Sequence, residues 1–188
     1  MEFFEKNLGL LRGIDPGLAQ RVSAQPLSEN IKVVKSKSGF AIPQLNSISL
    51  HSVYRPVEEA EKLTVGFSLV ANQPTVVSGL GFGYHILEIL KKTEGKVYVV
   101  EPLMSLFRAF ISEVDLSHFL PRVVFHIAEE PARVLNNVPG RPWNNYVHKA
   151  SFRFSEKYFQ LLDKASETKE FLKESSLKVL VVNPIYGG

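Results

Sequence analysis

The chain has 188 residues, of which 45% are hydrophobic and 22% charged, enough for one well-packed domain or a domain with a small appendage. Its net charge of +3 is spread along the chain, with Lys32, Lys35 and Lys37 as the densest group, which argues against a nucleic-acid surface. The absence of cysteine excludes disulfides, thiolate metal sites and a cysteine nucleophile. The start, MEFFEKNLGLLRG, carries early acids and no long apolar core, so it does not read as a signal peptide. No run approaches the roughly eighteen apolar residues of a membrane span. A cytoplasmic protein without membrane insertion is expected.

In chain order, residues 2–12 place Phe3, Phe4, Leu8, Leu10 and Leu11 mostly on one helical face, with Gly13 as the stop. Asp15-Pro16 opens a second short helix to about Ala24, completing an αα-hairpin whose apolar face needs a partner. From Ile31 the period becomes alternating. IKVVKS and FAIPQL flank Lys37-Ser38-Gly39, a hairpin signal, and Pro43 predicts that the second strand lies at an edge. Tyr54-Arg55-Pro56 starts a helix with Glu58 and Glu59 in its first turn, and Ala60, Leu63, Val65 and Phe67 are expected on its buried face.

From Thr75 strands and helices alternate. TVVS runs into Gly79, Gly81 and Gly83, an apolar helix follows, and YVVE ends in Glu101. The helix PLMSLFRAFI, the strand RVVFHI and the segment EEPARVLNNV come next. This rhythm predicts an α/β fold, with a Rossmann-like, mostly parallel sheet covered on both faces. VPGRPW breaks the rhythm as a linker, and Trp143, Asn144 and Asn145 follow its turn. A long amphipathic helix is expected from about Ser155 to Glu174, using Phe159, Leu161, Leu162, Ala165 and Phe171, and LKVLVVNP reads as a final buried strand. The divisions are residues 1–50 as an extension, 51–177 as the Rossmann-like unit and 178–188 as the last strand.

The glycine loop carries the functional signal. Glycines allow a tight turn and close approach of the backbone to a ligand, and the helix beginning near Tyr84 and His85 offers free N–H groups. Glu101, about twenty residues beyond the loop, stands where an acid accepts hydrogen bonds from a ribose diol. A small nucleotide-type ligand is therefore expected, and the alternative is a tight turn holding nothing. His51, Ser52 and Tyr54 precede a helix and are candidates for the mouth of the pocket. His118 and His126 show no ligand spacing, so no metal is expected. Neither a Gly-x-Ser-x-Gly elbow nor a Walker loop is present, which sets aside hydrolase and ATPase classes.

Residues 74–135 resemble S-adenosylmethionine-dependent methyltransferases. The resemblance implies a glycine loop around the methionine moiety, Glu101 on the ribose and Glu129 or Glu130 near adenine. The acid that family places two residues before its first glycine is here Val77. A wider pattern, NLGLLRGIDPGLA, SLHSVYRPVEEAE, VVSGLGFGYHILEIL, VYVVEPLMSLFRAFI and DLSHFL, is similar to the N-terminal domain of motility-associated-factor (Maf) glycosyltransferases and the related 6-hydroxymethylpterin diphosphokinase-like proteins. That resemblance implies a methyltransferase-like domain, accessory rather than catalytic, in a larger bacterial protein linked to flagellin or surface glycosylation. Its cofactor would be S-adenosylmethionine or a nucleotide sugar, and its partner a downstream glycosyltransferase domain of the same protein. LKVLVVNPIYGG resembles the opening strand and turn of a GT-B domain, while Asn183-Pro184-Ile185-Tyr186 also resembles the amine-holding motif of amino-methylating methyltransferases.

Overall fold

A computed structural model describes residues 3–181, with side chains described through residue 173. The N-terminal hairpin consists of α1 (Phe4–Ile14) and α2 (Pro16–Ala24). Asp15 caps α2 through its side chain, which accepts the Leu18 N–H at 2.8 Å, and Pro16 occupies the first turn. The helices bury Leu8, Leu11, Leu18 and Val22. They pack against a later helix, α5 (Met104–Glu113), which supplies the partner the hairpin needs.

Strands β1 (Ile31–Lys35), β2 (Ala41–Leu45) and β3 (Ile48–Ser49) form an antiparallel sheet in that order. Gly39, at φ +88°, lies in the β1–β2 turn where the sequence expects a left-handed residue. The expected edge position of β2 is corrected, because β2 is the central strand. Pro43 is tolerated there because β3 is only two residues long and pairs with Gln44 and Leu45 alone. The Pro43 carbonyl accepts the Leu50 N–H at 2.9 Å, so its nitrogen faces past the end of β3, where no ladder donor is required.

Helix α3 (Pro56–Val65) begins as expected, with Pro56 in its first turn and Glu58 and Glu59 beside it. Its buried face differs from expectation. Pro56, Ala60 and Thr64 are buried, whereas Leu63 and Val65 are 56% and 73% exposed. The i, i+4, i+8 stripe of the buried residues fixes the face, and Leu63 and Val65 fall outside it.

The main sheet has four parallel strands, β4 (Thr75–Ser78), β5 (Val97–Glu101), β6 (Val123–Ile127) and β7 (Asn144–Val147), in the order β6-β5-β4-β7. The fold is therefore mixed α/β and Rossmann-like. Period-two alternation assigns the two faces. Val77, Val97 and Val99 join the large core under α1, α2, α4 (Tyr84–Leu90) and α5. Val76 and Val100 join a second cluster with α6 (Pro131–Asn137) and, beyond the short α7 (Lys149–Phe152), the long α8 (Glu156–Val181), through Val134, Leu135, Phe159 and Leu162.

β7 lies where the sequence reads as a linker and its continuation. Asn144 explains how a polar segment takes a buried strand position. Its amide accepts the Val70 N–H at 2.7 Å and donates to the Val70 and Gln73 carbonyls, while its backbone N–H reaches Pro74. On α8, Phe159 and Leu162 are buried as expected, but Leu161 and Phe171 are 60% and 67% exposed. The helix continues through residues 178–181, where the final strand is expected, and the rest of that segment lies outside the described residues. No helix among the described residues is long and apolar enough to cross a membrane.

Candidate functional site

The strand order reverses between β4 and β7, since β5 and β6 extend to one side of β4 and β7 joins on the other. In open α/β sheets the crevice outside the carboxyl ends of the strands at such a switch point is the usual ligand site. Here that position holds the glycine loop after β4, Glu101 at the end of β5 and His148 just after β7.

All three glycines adopt left-handed conformations, at φ +97° for Gly79, +50° for Gly81 and +75° for Gly83. The space beside each is taken by the chain's own side chains. A methyl group on Gly79 would lie 2.8 Å from Ser151 Cβ, one on Gly81 2.4 Å from His51 Nε2, and one on Gly83 2.9 Å from the Phe119 ring. The close approach that glycine permits is thus used by internal packing.

Glu101 is 2% exposed, and both its oxygens are engaged. Oε2 accepts the Leu80 N–H at 2.9 Å and Oε1 the Leu103 N–H at 2.9 Å, so the acid ties the glycine loop to the end of β5. Burial pushes its pKa up to about 7, while the two N–H donors pull in the other direction.

Three imidazoles fill the crevice above the loop. His51 precedes α3, His85 opens α4 and His148 follows β7, and they are 5%, 1% and 4% exposed. The His85 and His148 rings stack at 4.2 Å and 5°, and His51 lies 4.8 Å from His148 at 29° and 6.0 Å from His85 at 32°, so the three rings form a triangle. His51 Nε2 accepts the Phe82 N–H at 2.8 Å, and its Nδ1 faces Glu59 Oε2 at 4.0 Å. His85 Nε2 meets the Gly79 carbonyl at 3.1 Å, leaving Nδ1 buried without a partner. His148 Nδ1 meets Ser151 Oγ at 2.8 Å.

Burial lowers the pKa of all three rings, to about 4 for His148, and repulsion from a charged His148 adds to the effect at His51 and His85. A groove of about 560 Å³, lined by Glu59, Phe67, Tyr146 and His148 among others, opens beside the cluster.

The other expected site residues are dispersed. Tyr84 packs edge-on against His51 at 5.0 Å but donates its hydroxyl to the Ala41 carbonyl at 2.6 Å, joining the loop to the β1–β2–β3 sheet. Burial raises its pKa to about 12. Ser52 Oγ accepts the Tyr54 and Arg55 N–H groups ahead of α3, and Tyr54 is 57% exposed beneath the Lys37 ammonium. Glu129 follows β6, two strands from β4, and contacts His126 Nδ1 at 3.0 Å, Arg21 at 3.8 Å and Arg133 at 3.9 Å. Glu130 is exposed at the start of α6.

His148 is the site residue that sequence reasoning misses. Its signal was position rather than pattern: in a βα rhythm the segment after residues 131–137 should supply the next strand, and His148 follows that strand directly.

No protein-family model matches the sequence, and no curated protein matches it. The fold is similar to that of the Maf glycosyltransferase from Magnetospirillum magneticum AMB-1, with a TM-score of 0.59 and 13% identity. The match covers 85% of this chain and 34% of that protein. At that identity the likeness is one of fold, and the chain spans about a third of the length of its structural neighbour.

Proposed function

We propose that this chain serves as an accessory, non-catalytic Rossmann-like domain of a larger protein with a glycosylation-related role. One observation carries the accessory reading: the switch-point crevice is filled from within, with His51 Nε2 where a side chain on Gly81 would point. A ligand cradle of the methyltransferase type requires that space and requires Glu101 to offer oxygen atoms outward. Both oxygens of Glu101 hold backbone N–H groups instead. The glycosylation role rests on the fold likeness to the Maf glycosyltransferase. In this reading sugar transfer belongs to another domain of the same polypeptide, and the present domain acts as a scaffold or contact surface for it.

The test is calorimetry with S-adenosylmethionine, S-adenosylhomocysteine and nucleotide sugars. No binding heat is expected from any of them. Micromolar binding of S-adenosylmethionine that weakens in Glu101→Ala would replace this reading with an active methyltransferase. Binding of a nucleotide sugar would instead make the domain a direct participant in transfer.

A further inference from the structure

We propose that His51, His85 and His148 form a binding site for a divalent transition metal of the zinc type, seated beside Gly81 at the switch point. The three residues come from positions far apart in sequence, and their ligand atoms lie within 4.8 Å of one another. Imidazole nitrogen is a preferred donor for zinc and its neighbours in the first transition series.

The surroundings of each ring set a ligating tautomer. A metal-bound histidine characteristically donates its other N–H to a carbonyl, carboxylate or comparable acceptor. His85 has that arrangement, with Nε2–H donated to the Gly79 carbonyl and Nδ1 left bare, buried and unpartnered. With the Ser151 hydroxyl 2.8 Å away as acceptor, His148 carries its proton on Nδ1 and offers the Nε2 lone pair to the metal. The Phe82 N–H bonded to Nε2 of His51 requires a lone pair there, so the ring proton sits on Nδ1, facing the Glu59 carboxylate. Three rings therefore present three lone pairs and three outer partners.

Gly81 leaves room for this arrangement, because a methyl group there would stand 2.4 Å from His51 Nε2 and 3.0 Å from His148 Cε1. Burial and mutual repulsion keep the rings neutral, the form that binds metal without first releasing a proton. Two adjustments accompany binding. Parallel rings 4.2 Å apart do not aim their lone pairs at one point, so the His148 ring turns out of its stack on His85. The metal also displaces the Phe82 N–H from His51 Nε2. The groove beside Glu59 and His148 gives access and supplies water for the fourth position.

The experiment is titration of the chelator-treated chain with Zn²⁺ alone and with Co²⁺ alone, following heat, thermal midpoint and the visible spectrum of cobalt. One equivalent per chain, a raised midpoint and cobalt bands of a four-coordinate nitrogen-rich site are expected. H148F keeps the aromatic stack and should abolish stoichiometric binding. S151A removes only an outer partner and should weaken zinc about 10–100-fold. H118A, a histidine outside the cluster, should bind as the wild type does. Absence of stoichiometric binding in the wild type overturns the proposal, as does undiminished affinity in both H148F and S151A. Because zinc alone is the probe, this outcome is independent of the nucleotide titrations.

Discussion

At the scale of the residue, Gly81 has the most constrained role. Its φ of +50° and the position of His51 Nε2, 2.4 Å from where a methyl group would stand, penalise any side chain twice. Read from the sequence, a Gly81→Val change removes ligand affinity and leaves the fold largely intact. The crowding beside Gly81 sets a stability cost against the second part of that expectation. Gly81→Ala should lower unfolding free energy by at least about 2 kcal/mol, through left-handed strain together with displacement of the His51 ring. Urea denaturation checks this, and an unchanged midpoint would show that the crevice can open without loss. Gly9 makes the control, since it lies within α1 with nothing near its missing Cβ, and Gly9→Ala should stabilise by roughly 0.5–1 kcal/mol.

Among the elements, the docking of the N-terminal hairpin depends on Asn7 as well as on Leu8 and Leu11. Asn7 is fully buried in α1. Its amide donates to the Ile111 and Val114 carbonyls at 2.8 and 2.7 Å and accepts the Leu116 N–H at 2.9 Å. One side chain thereby satisfies the end of α5 and the following 3₁₀ turn (Leu116–His118). Asn7→Ala leaves these groups buried and unpaired, at about 1–3 kcal/mol each before water or local shifts compensate. A fall in stability of roughly 3 kcal/mol is expected, with faster hydrogen exchange at the end of α5. A loss below about 1 kcal/mol would mean that water takes over these bonds. The apolar stripe of α1 was legible in its spacing, but Asn7, a polar residue among leucines, gave no sign of its role, because its partners lie more than a hundred residues away.

For the whole molecule, the buried imidazoles make stability depend on pH. Each has its pKa lowered in the folded state, so the unfolded chain takes up protons first as pH falls below the ordinary histidine value of about 6.5. Their contribution is fully present above that value and is lost progressively as pH falls toward about 4, where His148 itself titrates. For His148 alone this amounts to on the order of 3 kcal/mol by pH 4. H148F should therefore lose less stability than the wild type between pH 7 and pH 4.5, measured by denaturant unfolding at each pH. Parallel pH profiles for the two proteins would overturn the assignment. Glu101 acts in the opposite sense. With its pKa raised to about 7, it costs stability as it ionises between about pH 4.5 and 7, so the comparison must be made between variants rather than from the wild-type profile alone.

Sequence alone determined the local architecture of this protein. Apolar periods of 3.6 and 2, the Asp15-Pro16 and Arg55-Pro56 helix starts, the Gly39 turn and the alternation from Thr75 onward sufficed for most of the helices, three of the parallel strands and the Rossmann-like class. These signals arise from contacts within a few residues, and the chain carries them wherever it is placed. Tertiary structure decided what the glycine loop faces. His51, His85 and His148 share no spacing and meet only because β7 pairs with β4 across the switch point, bringing the end of Val147 beside Gly79. It also decided that Glu101 would be buried with its oxygens on the Leu80 and Leu103 N–H groups, because the glycine loop folds back over the end of β5.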